Sequence, residues 1–256
     1  MNNKKALLIY LLYSIIIAIA VLSFNLGYSA SVLLYFGVPS LYLSIKYPKV
    51  IKKTLFYSIW FSVPSVLVFS YIAHVSDVWY VSSELGIRFL GGNIPVEDFL
   101  WGFLFFYIII VMYNALFAER YSKKIIVTNT KYLVTVALVF LLAFFSVLVF
   151  NRDLLIMNNF YILMIIFMMA LPSFIILPFF SKAIRPVIYL TLFFIPFCFI
   201  YEYSALKTEQ WFFGEAYFIG WIQLFDVRFP IEEFLFMVFS IPGSVAVYEL
   251  FSKDSK

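Results

Sequence analysis

Apolar residues run along the chain in eight near-continuous stretches, at about 6–23, 28–45, 54–73, 96–118, 132–150, 160–180, 187–203 and 231–251. Each approaches the ~20 residues that carry an α-helix across a ~30 Å hydrocarbon core. The stretches are continuous, whereas the strands of a transmembrane β-barrel alternate apolar and polar positions. The pattern predicts an all-α integral membrane protein with eight transmembrane helices. The first stretch follows Asn2-Asn3-Lys4-Lys5 and has the outline of a secretory signal peptide, with Ala18-Ile19-Ala20 as a poor cleavage site. A partner for it in the second half of the chain argues for a retained helix instead.

The pattern also repeats. Pro39-Ser40 recurs at an offset of 133 as Pro172-Ser173, and Pro64 and Trp79 recur at an offset of 132 as Pro196 and Trp211. Pro95-Val96-Glu97-Asp98-Phe99-Leu100 recurs at an offset of 135 as Pro230-Ile231-Glu232-Glu233-Phe234-Leu235, and Tyr113 falls on Tyr248 at the same offset. Nearly constant offsets predict two four-helix repeats, 1–125 and 126–256, joined near 119–131. With an even number of helices per repeat, the second copy enters the membrane from the same side as the first. The repeats are then parallel, related by an axis along the membrane normal, and the duplicated motifs lie at equal depth.

Composition agrees with a membrane protein: 64% hydrophobic, 22% aromatic and 12% charged residues, against roughly 45–50% apolar and 25% charged in soluble domains. Charge then sets an expected orientation. Threading eight helices leaves Lys4, Lys5, Lys46, Lys49, Lys52, Lys53, Arg120, Lys123, Lys124, Lys131, Lys182, Arg185, Lys253 and Lys256 on the side of the termini, with Arg88, Arg152, Lys207 and Arg228 opposite. By the positive-inside rule both termini are cytoplasmic in the cell membrane, and the longer loops at about 74–94 and 204–229 face outward. The net charge of +4 is therefore a topology signal and not a nucleic-acid patch.

Candidate cofactor chemistry is narrow. A single cysteine, Cys198, and a single histidine, His74, supply no disulfide framework, zinc cluster or bis-histidine haem site within the chain, and both read as structural. Gly91-Gly92 opens no dinucleotide or P-loop motif. The expectation is chemistry carried by side chains, with no cofactor and no metal.

The side chains that stand out are Glu97, Asp98, Glu232 and Glu233. Acids in a first helical turn complement the helix dipole, which is a sufficient structural reason for one such motif. Two motifs in register at the mouths of membrane helices, where ionisable groups are costly, point further, to function. Adjacent helical residues diverge by about 100°, so one acid of each motif faces inward. Carboxyls gathered in a poorly solvated site cannot all ionise, and such a site can deliver a proton and take one back. Aromatic faces stabilise cations; most of the aromatics read as lipid-facing, but Trp79 and Trp211 in the outer loops are candidates to line a substrate. Arg88 and Arg228 precede the motifs, where they either orient a carboxylate or snorkel to the interface.

The duplicated Pro-x-acid-acid-Phe-Leu helix openings, each after a tryptophan-containing outer loop, resemble the membrane lycopene cyclases encoded as two small subunits or as one fused chain, and the cyclase part of fungal bifunctional cyclase/phytoene synthases. The resemblance spans nearly the whole chain, and it departs from the usual pattern at Asp98, where a glutamate is more common. The spacing from tryptophan to motif proline also differs, being longer from Trp211 to Pro230 than from Trp79 to Pro95. The resemblance implies acid/base closure of the linear ends of lycopene, or of a related linear carotenoid, to ionone rings, with β the expected type. It implies Glu97 and Glu232 as the first motif acid and Asp98 and Glu233 as the second. Two other readings use the same features: a proton-coupled transporter, which shares parallel repeats and membrane carboxylates, and a carotenoid-binding protein without catalysis. The sequence leaves the oligomeric state open.

Overall fold

The computed structural model describes residues 3–117 and 130–252; most of the expected junction between repeats, and Arg120, Lys123, Lys124, Lys253 and Lys256, lie outside the described residues. Eight helices long and apolar enough to cross a membrane are present among the described residues. They are α1 (Asn3–Phe24), α2 (Tyr28–Lys46), α3 (Ile51–Val75), α4 (Val96–Leu116), α5 (Thr130–Phe150), α6 (Phe160–Phe179), α7 (Ser181–Lys207) and α8 (Ile231–Ser252). The chain is thus an all-α multi-pass membrane protein, as the apolar runs predict.

Prolines shape two of these helices. Pro39 and Pro172 cannot donate a backbone hydrogen bond, and each ring crowds the carbonyl four residues earlier. The turns before them widen into π-helix, at Leu33–Gly37 and Ile166–Ala170. These widened turns are separated by the same offset as the prolines themselves.

The helices interleave across the two halves of the sequence. α3 packs along α4 and α7 along α8, while α1 packs on α7 and α5 on α3. α4 and α8 touch at the centre. Every residue of α4 from Leu104 to Ala115 is buried, which explains why α4 is apolar on all faces. Two close approaches require glycine: a Cβ on Gly102 would come within 2.3 Å of Val66 Cγ2, and one on Gly243 within 2.7 Å of the Met169 carbonyl oxygen.

The two longer loops form strands and hairpins. β1 (Trp79–Val81) pairs antiparallel with β4 (Trp211–Phe213), with Tyr80 opposite Phe212. β2 (Arg88–Phe89) pairs with β3 (Ile94–Pro95), and β5 (Trp221–Leu224) with β6 (Val227–Pro230). Positive φ angles mark matching corners, at Asp77 (57°) and Glu209 (55°), and at Leu90 (47°) and Phe225 (53°). Pro95 and Pro230 close the hairpins as the last residues of β3 and β6, and the helices begin at the next residue. Pro95 is extended, with ψ at 147°, so proline serves here as a strand terminus without an N–H, not as the first helical residue.

Candidate functional site

The β1–β4 ladder holds the two longer loops together. Tyr80 and Phe212 stack across it at 5.3 Å. The Asp77 carboxylate accepts from the Tyr80 hydroxyl at 2.8 Å and from the Glu215 N–H at 2.9 Å, joining the loop of one half to that of the other. That hydrogen bond, aided by partial burial, raises the Tyr80 phenol above its ordinary pKa and keeps it a donor.

On either side of this ladder Trp79 and Trp211 enter a cavity of about 120 Å³. Trp79 packs edge-on to Tyr161 at 5.1 Å, and Trp211 edge-on to Tyr28 at 5.7 Å. Each tryptophan therefore meets a tyrosine from the opposite half of the sequence, and the two tyrosines are separated by the offset that links Pro39 to Pro172. Trp101, Phe105 and Phe236 form a stack in the cavity wall, with Trp101 to Phe105 at 5.3 Å and Phe105 to Phe236 at 5.5 Å.

The four motif acids divide into two kinds. Glu97, 1% exposed, turns away from the cavity into its own loop. It accepts the N–H groups of Glu84 and Leu85 at 2.7 and 2.8 Å, and the Ser83 hydroxyl at 3.2 Å. Glu232, fully buried, makes the matching loop contact in the second half, accepting the Ile219 N–H at 2.7 Å, while its Oε2 has no partner among the described residues. Glu84 and Ile219 are separated by the same offset as the two motifs, so the same loop amide is anchored twice. The first acid of each motif is a loop anchor, placed there because helix geometry turns it about 100° from its neighbour.

The second acids line the cavity. Asp98 is 5% exposed, the Ser70 hydroxyl lies beside it, and its Oδ1 has no hydrogen-bond partner among the described residues. Glu233 Oε2 accepts a hydrogen bond from the Tyr161 hydroxyl. One acid per motif thus faces inward, as the geometry of adjacent helical residues requires.

The arginines take other partners. Arg88 donates to the carbonyls of Gly92 and Val81, both at 3.2 Å, and Arg228 lies 4.8 Å from the Trp221 ring. Neither makes an ion pair with a motif acid among the described residues. Both guanidinium groups lie in exposed hairpin positions, which accords with the snorkelling alternative for these arginines. They are not equivalent either, because Arg88 faces Pro95 across its hairpin whereas the residue facing Pro230 is Trp221. His74 packs edge-on to Tyr80 at 4.9 Å. Cys198 is buried in the cavity wall, at the position that corresponds, by the offset linking Pro64 to Pro196, to Val66 in the same wall.

One cavity residue escapes the motif. Glu202 on α7 is 2% exposed, and its Oε1 accepts the Trp211 indole N–H at 3.2 Å. An acid within a membrane-spanning run is a functional candidate by position alone, so the signal was present. The recurring pattern hides it, because the residue at the offset that links Pro64 to Pro196 is Ser70.

The arrangement offers three carboxyl groups and several aromatic faces in one small, largely apolar space, able to donate a proton, stabilise a cation and accept a proton. No family model, no curated protein and no solved structure matches the chain.

Proposed function

We propose that this chain is a lycopene cyclase, which closes the linear ends of lycopene, or of a related linear carotenoid, to ionone rings of the β type by acid/base catalysis. The observation that carries this reading is the convergence of Asp98 and Glu233 on one cavity walled by Trp79, Trp211, Tyr28 and Tyr161. A carboxylic acid protonates the terminal double bond. The neighbouring double bond attacks the tertiary cation and closes a six-membered ring, and a carboxylate removes a ring proton. Aromatic faces stabilise the transient cation, and the reaction is an isomerisation that consumes no reductant or oxidant.

Within this reading the two halves are parallel repeats related by an axis along the membrane normal. The antiparallel register of β1 with β4 supports it: Tyr80 sits opposite Phe212, its counterpart by the offset that links Trp79 to Trp211, so equivalent strands pair about their own midpoint. The crossed packing of α1 on α7 and α5 on α3 supports it as well. Both termini are placed in the cytoplasm and the hairpins outside, on the distribution of lysine and arginine.

The test is expression of the chain in lycopene-accumulating cells, with pigments separated by chromatography and identified by absorption spectra. The expected result is conversion of lycopene to mono- or bicyclic carotene, lost in an Asp98→Asn/Glu233→Gln variant that still accumulates in membranes. Lycopene persisting beside verified expression overturns the reading. Conversion that survives in the double variant removes these carboxyls from the reaction. Pigment held by the protein but never cyclised identifies a binding protein instead.

A further inference from the structure

The cavity carries its acids unequally. On the side of α7 and α8, Glu202 and Glu233 both line it, and the packing of these helices brings the two carboxyls within electrostatic reach of each other. Each is held by a donor of its own, the Trp211 indole for Glu202 and the Tyr161 hydroxyl for Glu233. On the side of α3 and α4, Asp98 is the cavity acid, and the place corresponding to Glu202 is taken by Ser70. The shorter aspartate side chain leaves Oδ1 buried in the cavity wall without a partner among the described residues.

The inequality has chemical consequences. Two carboxyls that line one apolar space within electrostatic reach of each other hold one proton between them more cheaply than they hold two negative charges. Such a pair suits proton delivery. Asp98 has no second cavity carboxyl on its own side and keeps one oxygen open, which suits proton removal.

We propose, building on the cyclase reading, that Glu202 and Glu233 act as one proton-donating pair and Asp98 as the base opposite them, so that both halves of the chain serve a single ring closure on one polyene end. The proton moves from the pair to the terminal vinylic carbon, leaving a tertiary cation. The internal double bond supplies the electron pair for the new carbon–carbon bond, and the ring cation loses one proton to Asp98. The pair is then one proton short and Asp98 one proton ahead, and exchange with water restores both.

The test uses the full-length chain in membranes supplied with lycopene in D2O, reading ring formation together with deuterium in product and in recovered lycopene. The unmodified chain should place one deuterium in each ring formed. Glu202→Gln keeps an oxygen for the Trp211 N–H but has no proton to give; ring formation should fall by ~100-fold or more, with no deuterium entering recovered lycopene. Asp98→Asn should also fail to release ring product, yet recovered lycopene should gain deuterium at the terminal vinylic carbon, because the cation forms and collapses back. Glu202→Asp, which restores an acid, should regain part of the rate. The proposal is overturned if Glu202→Gln cyclises within about threefold of the unmodified rate, if Glu202→Asp is as inactive as Glu202→Gln, or if Asp98→Asn exchanges no deuterium. An unmodified chain that leaves lycopene untouched overturns the cyclase reading itself, and is distinguished by appearing before any variant is compared.

Discussion

Glu97 and Asp98 are covalent neighbours with opposite environments. Two backbone N–H groups and a hydroxyl satisfy Glu97 inside its loop, whereas Asp98 keeps an oxygen without a partner in the cavity wall. In the second half the placement is the same but the satisfaction is not: Glu232 takes one loop amide and keeps Oε2 without a partner among the described residues, while Glu233 in the cavity wall has the Tyr161 hydroxyl. Replacing Glu97 and Glu232 by glutamine keeps an acceptor oxygen for the loop amides, so pigment conversion should persist. Truncating Glu97 to alanine takes the charged acceptor from the part-buried amides of Glu84 and Leu85 and should cost about 1–3 kcal/mol, read as a lower unfolding midpoint in detergent and faster proteolysis of the 82–95 loop. Asp98→Asn and Glu233→Gln should instead leave the unfolding midpoint near that of the unmodified chain and lower turnover by ~10²–10⁴-fold, the usual worth of a general acid or base. Equal loss of turnover in the Glu97→Gln and Asp98→Asn variants would contradict the division.

At the scale of elements, helix contacts and the strand ladder position the cavity. α6 approaches α8 so closely that a Cβ on Gly243 would meet the Met169 carbonyl oxygen at 2.7 Å. Backbone cannot yield as a side-chain tip can, so Gly243→Ala should destabilise the protein by about 1–3 kcal/mol through overpacking, measured by thermal unfolding in detergent. Met169 also lines the cavity, and turnover should drop with it. The β1–β4 ladder has a different role: it brings Trp79 and Trp211 over the same space. Tyr80→Ala removes the ring stacked on Phe212 and the donor to Asp77. Substrate affinity should weaken more than maximal rate, which a KM-against-kcat comparison in membranes will show.

For the whole molecule, the crossed packing of α1 on α7 and α5 on α3 ties the halves into one body. Each half contributes a tryptophan, a tyrosine that packs on the other half's tryptophan, and at least one cavity acid. Residues 1–125 or 126–256 expressed alone should therefore give no cyclised pigment. Expressed together they should assemble and recover activity, read by pigment analysis and co-purification. Activity from either half alone would show that the shared cavity is not the site.

The number and course of the membrane helices were legible in the sequence because burial in lipid leaves an unbroken apolar run, which needs no knowledge of neighbours. The recurrence of prolines, tryptophans and paired acids at almost fixed offsets was legible too. Helix periodicity alone required that one acid of each pair face inward. Which one did so depended on the loop that folds back to offer its amides to Glu97 and Glu232, a contact that tertiary structure alone determines. Tertiary structure also turned Arg88 and Arg228 outward and brought Glu202 to the cavity. A carboxylate's role follows from the donors and charges around it in space, and those come from segments far away in the chain, as when Tyr161 reaches Glu233 from a different helix.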